Sequence, residues 1–273
     1  MSGPEPGTRM INKPVIGVAV AVIIIAAGTW YYLQSRNAGP PSDTGTAPPP
    51  QAETPAPPAI EHPLSAADDQ ASKAPLPALS DSDPALLEAL RAAVGTAAVK
   101  DYLVPENIVR HMVVTIDNLP RQKVAVDKRP VGPTGGPFAA DGDELHATLD
   151  PKNFARYQPM VAVVSKLDVQ QLMGVYVHFY PLFQHAYQDL GYPNGYFNDR
   201  LVQVIDSLLA APEPAQPIQL VRPNVMYTFA DPTLESRPAG QKLLMRMGPD
   251  NEAAIKAKLK ELRAAITAAP PKR

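Results

Sequence analysis

The pattern of hydrophobic and polar residues divides the chain into an apolar run, a proline-rich stretch and a long amphipathic part. The apolar run, residues 15–33, contains no charged residue. At about 1.5 Å per residue, a helix of this length reaches roughly 28 Å, which is about the thickness of a hydrocarbon core. The pattern therefore predicts one transmembrane helix, assigned to residues 14–34.

Charged residues on either side of the apolar run predict its orientation. Arg9, Lys13 and the N-terminal amine precede the run, whereas only Arg36 follows closely before an acidic stretch begins. Because positive flanks stay on the cytoplasmic side, residues 1–13 are predicted to form a cytoplasmic tail. A cleaved secretory signal is the alternative, since small residues at 26–28 follow the apolar core. In both cases the rest of the chain is exported.

Proline replaces large apolar residues in the second part of the chain, residues 35–82. Eleven prolines lie between residues 37 and 82, together with six acidic residues and one lysine, a net charge of minus five. Such a composition cannot bury a hydrophobic core. The sequence therefore predicts a disordered linker that acts as a spacer without contacts to the domain. A docking ligand of the PxxP type, such as residues 55–58, is the alternative interpretation.

Helical periodicity dominates the third part, residues 83–273, which has the length of one ordinary domain. Asp-Pro pairs begin at residues 83, 150 and 231, and each predicts a helix start because Asp accepts free amide hydrogens and Pro fits the first helical position. Apolar residues then recur at helical spacing until a Gly or Pro ends the run. The helices predicted in this way cover residues 84–94, 105–119, 169–190, 199–209, 241–247 and 249–266.

Strand-like alternation is convincing at one place. Residues 218–221 and 225–229 alternate and are separated by Arg-Pro-Asn, which predicts a β-hairpin. Residues 121–150 are predicted to form a long loop that ends in a strand near residues 144–149. Its glycines lack the spacing of a phosphate-binding loop and are assigned to turns. The predicted fold class is mainly α, a single compact helical domain with a small antiparallel β-hairpin.

Charge and cysteine content exclude several function classes. From residue 83 onward, 21 Lys and Arg face 20 Asp and Glu, so the basic surface of a nucleic-acid-binding protein is missing. The chain has no cysteine, which excludes a disulfide framework, a thiolate nucleophile and a zinc site built on sulfur.

His178 and His185 lie two helical turns apart, about 10 Å, which is too far for one metal ion. Neither a cofactor nor a metal ligand or catalytic residue is predicted.

Polar residues near helix ends form the candidate site. In one interpretation, Asp117 or Asp199 pairs with an arginine across a helix junction, and this structural role is favoured. In the other, five polar residues share one cleft that binds an envelope ligand or a partner peptide. These candidate residues are Arg110, His111, Tyr196, Asn198 and Arg200.

Several long strings of the domain carry a family resemblance. They are, in order, SDPALLEAL, YLVPENIVRHMVVTIDNLPR, RPVGPTGGPF, YPLFQHAYQDLGYPNGYFNDRLVQVIDSLLA, YTFADPTLES and AGQKLLMRMGP. The chain resembles the bacterial family called domain of unknown function 3014 across nearly the whole globular part. The resemblance implies a Gram-negative envelope protein with a membrane anchor and a proline-rich tether. It supplies no catalytic residue.

Taken together, these features predict a single-pass protein of the bacterial inner membrane with its helical domain in the periplasm. Binding or scaffolding is the predicted function, with the inner membrane and an envelope protein or peptide as partners and no nucleic acid. The alternative is a periplasmic envelope hydrolase with an unrecognised acid/base site, in which a carboxylate or His111 is the base.

Overall fold

The computed structural model describes residues 59–64, 75–143 and 146–268. The predicted cytoplasmic tail, residues 1–13, and the predicted transmembrane helix, residues 14–34, lie outside these ranges, as does most of the linker. Among the helices that the structure describes, none has the length and apolar character needed to span a bilayer.

The described part is mainly helical, as the periodicity predicts. Two short 3-10 turns, Leu79–Asp81 and Val126–Lys128, accompany the α-helices. The α-helices are α1 (Asp83–Val94), α2 (Thr96–Tyr102), α3 (Ile108–Asn118), α4 (Lys152–Ser165), α5 (Val169–Asp189), α6 (Phe197–Leu209), α7 (Pro232–Glu235), α8 (Ala239–Met247) and α9 (Pro249–Thr267).

The predicted hairpin is half of a larger sheet. Its strands pair antiparallel, with Leu220 opposite Phe229, and a further strand places Ala147 opposite Leu220 on the other side. The predicted hairpin is therefore part of a four-stranded sheet, because the predicted loop supplies two more strands. One of them lies within the strand predicted near residues 144–149, and the other has only two residues, which is too short for an alternating pattern to be recognised. In sheet order, the strands are β1 (Ala140–Asp141), β2 (Ala147–Leu149), β3 (Gln219–Val221) and β4 (Thr228–Phe229).

Helix α5 lies at the centre of the main hydrophobic core. It packs against α1, α3, α6 and α9, while α9 also contacts α4 and α8. Phe183 of α5 stacks on Phe197 at the start of α6, with ring centroids 5.8 Å apart. Phe197 is completely buried. This contact fixes the N-terminal end of α6 against the core, which positions the polar side chains beside it.

The Asp-Pro prediction is right about helix starts but wrong about one role. Asp231 caps α7 by accepting the N–H of Thr233, and the Asp150 side chain accepts the N–H of Lys152 at 2.8 Å at the start of α4. Asp168, which precedes a valine, caps α5 in the same way. Asp83 instead accepts from the N–H groups of Asn107, at 2.6 Å, and Ile108, at 2.9 Å. Since these groups open α3, Asp83 joins the start of α1 to the start of α3.

Two parts of the predicted linker contact the domain. Leu76 and Leu79 pack against the main core, and Ser82 is buried. Residues 59–64 lie against the N-terminal end of α6. For these residues, the expectation of a spacer without contacts was wrong, because isolated leucines attach residues 76–79 to the core and backbone hydrogen bonds attach residues 59–64 to α6. The remainder of the predicted linker lies outside the described residues.

Candidate functional site

A short segment of the linker is bound at the N-terminal end of α6. The N–H of Glu61 donates to Asp199 Oδ2 at 3.1 Å, and the N–H of His62 donates to Asp199 Oδ1 at 2.7 Å. The N–H of Leu64 donates to the Tyr196 hydroxyl at 3.1 Å. Asn198 Nδ2 completes the set by donating to the carbonyl oxygen of His62 at 2.8 Å. We call residues 59–64 the docked segment.

All four hydrogen bonds join side chains of the domain to backbone groups of the docked segment. The side chains belong to three residues at the start of α6, Tyr196, Asn198 and Asp199, which we call the α6 docking site. Because the partner atoms are backbone N–H and C=O groups, the site recognises the course of a chain and the positions of its amides more than its side chains.

The start of α6 differs from its sequence prediction in a way that creates the site. The sequence predicts that the helix begins at residue 199, but it begins at Phe197, and Tyr196 occupies the N-cap position without making a capping hydrogen bond with its side chain. Asn198 and Asp199 therefore fall in the first helical turn. An aspartate in this position is favoured by the helix dipole, and its carboxylate remains available to donors outside the helix.

A tyrosine behind the site orients the Asn198 amide. The Tyr176 hydroxyl donates to Asn198 Oδ1 at 3.0 Å, which leaves Nδ2 directed at the docked segment. Asn198 is completely buried. Burial, followed by the neighbouring Tyr180, raises the pKa of the Tyr176 hydroxyl well above its ordinary value. Tyr176 therefore stays protonated and acts as a donor throughout the physiological pH range.

Gln184 of α5 fixes the turn that leads into α6. Its Oε1 accepts from the backbone N–H of Phe197 at 2.8 Å, and its Nε2 donates to the carbonyl oxygen of Gly195 at 2.7 Å. The Tyr180 hydroxyl also donates to Oε1, at 3.0 Å. Sequence reasoning missed these supporting residues. The concentration of aromatic residues between 176 and 197 is a signal that could have found them, although aromatic rings at helical spacing are also typical of core packing.

Arg200, one of the five candidate residues, has a structural partner. Its Nε donates to Asp117 Oδ1 at 3.0 Å, and a terminal nitrogen donates to the backbone carbonyl of Asp117 at 2.8 Å. Arg121 also binds the Asp117 carboxylate, at 2.5 Å. Asp117 is only 2% exposed. Arg200 therefore joins α6 to α3, as the structural interpretation of these polar residues expects.

Arg110 and His111 lie in a different place from the α6 docking site. They line an open pocket of about 320 Å³ between α3 and the end of α5. Arg110 pairs there with Asp189 at 2.9 Å, and both side chains are largely exposed. The Nδ1 atom of His111 is buried and has no hydrogen-bond partner among the described residues. Burial, followed by Lys128, lowers the pKa of His111.

The five candidate residues therefore do not share one cleft. Tyr196 and Asn198 bind the docked segment, Arg200 binds Asp117, and Arg110 and His111 line the separate pocket. Within the described ranges, no three His, Asp or Glu side chains are grouped closely enough to hold a metal ion.

An apolar cavity of about 70 Å³ lies inside the helical core. Tyr176, Phe183 and Phe197 contribute to its lining, together with aliphatic residues of the surrounding helices. An engineered cavity that binds benzene has a volume of about 150 Å³, roughly twice as large. The cavity beside the site therefore has about half the volume of the cavity that accommodates this aromatic ring.

Comparison with known proteins places the chain in a family without assigning an activity. No curated protein and no solved structure matches the chain. The family model described as protein of unknown function (DUF3014) matches residues 108–263, more than half of the chain. The matched range includes the α6 docking site but not the docked segment. The chain therefore belongs to the DUF3014 family.

Proposed function

We propose that this protein is a membrane-anchored peptide-binding protein of the bacterial envelope, in which the α6 docking site binds short segments of unfolded chain. The observation that carries the proposal is the docked segment itself, residues 59–64. Its backbone is held by four hydrogen bonds to Tyr196, Asn198 and Asp199. A surface that already binds one irregular segment through its backbone has the chemistry to bind others.

The energetics of docking support exchange rather than permanent attachment. The Ile60 side chain is 54% exposed and Leu64 is only partly buried, so apolar burial adds modestly to the hydrogen bonds. A neutral hydrogen bond contributes about 1 kcal/mol net, and one to a charged group about 2 kcal/mol. Ordering each backbone residue costs about 1–2 kcal/mol, so this cost offsets most of the gain and the net stabilisation is small. The docked segment is therefore replaceable by a partner of similar chemistry.

The proposed location rests on the N-terminal sequence. A transmembrane helix at residues 14–34, with residues 1–13 in the cytoplasm, would put the domain in the periplasm. The docked segment lies between this helix and the domain. Release of the docked segment would move the first described contact with the domain from this segment to Leu76. Binding of a partner in place of the docked segment would thus lengthen the reach of the domain from the membrane.

Peptide binding is tested with the full-length chain in detergent. In the variant that we call the open variant, a Gly-Ser hexapeptide replaces residues 59–64. A fluorescein-labelled peptide with the sequence AIEHPL is the probe, and anisotropy is the measurement. We expect the open variant to bind the probe and the unaltered chain to bind it at least about tenfold more weakly, since its own segment occupies the site.

Two substitutions in the open variant serve as controls. Asp199→Ala removes two acceptors and Tyr196→Phe removes one, so both should weaken probe binding. Failure of the open variant to bind the probe would contradict the proposal. Equal affinities for the open variant and its Asp199→Ala form would show that binding occurs elsewhere.

The proposed topology has a separate test. A reporter that is active only in the periplasm should be active when fused after residue 82, and a reporter that is active only in the cytoplasm should be silent there. The reverse pattern would overturn the envelope location.

A further inference from the structure

Proline occupies the one position between residues 61 and 64 where the docked segment makes no backbone N–H contact. The N–H groups of Glu61, His62 and Leu64 each donate to the α6 docking site. Residue 63 is proline, which has no N–H, and its ring is exposed. Along residues 61–64, the order of positions is therefore donor, donor, no donor, donor, and the acceptors of the site match this order.

We infer that the α6 docking site selects its peptides by this order, and that its ligands have two successive residues with free N–H groups, then proline, then a residue with a free N–H group. This inference rests on the proposed function and names its ligand class. Proline at the first, second or fourth position would leave an acceptor of Asp199 or Tyr196 without its donor. Proline at the third position costs no hydrogen bond and reduces the conformational freedom that docking must remove.

Side-chain burial adds a preference at the fourth position. Glu61 and Pro63 are exposed, whereas His62 and Leu64 are partly buried. Burial of a leucine side chain is favourable by the hydrophobic effect, so a large apolar residue after the proline strengthens docking. The ligand class is therefore a peptide of the form X-X-Pro-Leu, where X is any residue except proline.

The proline-rich linker contains few segments of this form. Of its eleven prolines, only Pro55, Pro63 and Pro75 have two non-proline residues before them and an apolar non-proline residue after them. The residue after Pro55 is alanine, and Leu76 after Pro75 packs against the main core. Of the three segments around these prolines, residues 61–64 are thus the one that has a leucine free to dock. The PxxP segment at residues 55–58 does not fit, because Pro55 and Pro58 would occupy the first and fourth positions, where the site accepts an N–H.

A proline scan of the labelled AIEHPL peptide tests the inference against the open variant. Substitutions Glu61→Pro, His62→Pro and Leu64→Pro in the peptide should each weaken binding at least about tenfold, because each removes a donor to the site. Ile60→Pro is the matched control, since no N–H contact of residue 60 with the site is observed, and it should change the affinity less than about threefold. Pro63→Ala should weaken binding only about twofold to fivefold, because it costs no hydrogen bond but restores conformational freedom to the peptide.

A second scan separates lost hydrogen bonds from altered backbone conformation. Replacing the amide N–H of residue 61, 62 or 64 with an ester oxygen removes the donor without the constraint of a proline ring. Each ester should weaken binding, whereas an ester at residue 60 should not. If proline and ester at residues 61 and 62 were tolerated as well as they are at residue 60, the inference would be overturned and the proposed function would still stand. Failure of the unmodified peptide to bind would overturn both.

Discussion

Asp117 and Asp199 are two carboxylates at opposite ends of neighbouring helices, and they have opposite kinds of partner. Asp117 lies in the last turn of α3, is 2% exposed and binds the guanidinium groups of Arg121 and Arg200. Asp199 lies in the first turn of α6, is partly exposed and accepts two backbone N–H groups of the docked segment. The first carboxylate joins parts of the fold, and the second binds a segment from outside it.

Adjacent residues of α6 thus belong to different regions. Asp199 and Arg200 are about 100° apart around the helix, so one faces the docked segment while the other faces α3. Asp117 and Asp199 are the same residue type, and both lie near a helix end, so the sequence alone does not distinguish their roles. The difference lies in the partner: a buried charge pair contributes to stability, whereas a carboxylate that faces free amides is available for binding.

The largest expected effect is on the Asp117 region. Arg200→Gln leaves a buried carboxylate with one of its two cations, and it should lower the free energy of unfolding by about 3 kcal/mol. Urea unfolding of the full-length chain in detergent measures this loss. Arg110→Gln is the matched control, because the Arg110–Asp189 pair is largely exposed and contributes about 1 kcal/mol or less. Equal losses in the two variants would contradict the assignment of Arg200 to the fold.

A smaller effect on stability, but a larger one on docking, is expected at Asp199. Asp199→Ala should lower the free energy of unfolding by about 1 kcal/mol, because its partners lie outside the core. The docked segment should be released, so a protease that cleaves after glutamate should cut at Glu61 several times faster. Asp189→Ala removes another exposed carboxylate and should leave this cleavage rate unchanged. A cleavage rate that is unaffected by Asp199→Ala would show that Asp199 does not hold the segment.

The smallest expected effect concerns pH and the separate pocket. Burial, followed by Lys128, lowers the pKa of His111 below the ordinary value of 6.5. The unfolded chain therefore takes up the proton first as the pH falls, so the stability contribution of neutral His111 is present above pH 6.5 and is lost as the pH falls through the lower pKa of the folded state. We expect His111→Asn to reduce the loss of stability between about pH 7 and pH 5.

The same variant also tests the separation of the two sites. His111 lies outside the α6 docking site. At each pH, the open variant with and without His111→Asn should therefore bind the AIEHPL peptide with the same affinity. A change in affinity would show that the pocket and the docking site are coupled.

Much of the fold was predictable because it depends on local signals. The N-cap role of Asp168 and the helix stop at Gly248 follow from short-range backbone chemistry, and the structure confirms both. The role of Asp83 was not predictable, since it caps a helix that begins more than twenty residues later. The strand Ala147–Leu149 lies within the strand predicted near residues 144–149, whereas Ala140–Asp141 was missed because two residues are too few to show alternation.

The candidate site was predictable only in part. Tyr196 and Asn198 were identified by their position near a helix start, but Arg110 and His111 were grouped with them although they line another pocket. The docked segment was missed because its contacts use backbone groups, which leave no side-chain pattern in a proline-rich sequence. Asp199 was considered only as a partner of an arginine.

Hydrogen exchange of the intact, detergent-solubilised chain tests the central claim most directly. The amides of Glu61, His62 and Leu64 each donate to the α6 docking site, so they should exchange at least about tenfold more slowly than in the free AIEHPL peptide. This protection should be lost in Asp199→Ala for residues 61 and 62, while the amides of α5 remain protected. Exchange of all three amides at the rate of the free peptide would contradict the account.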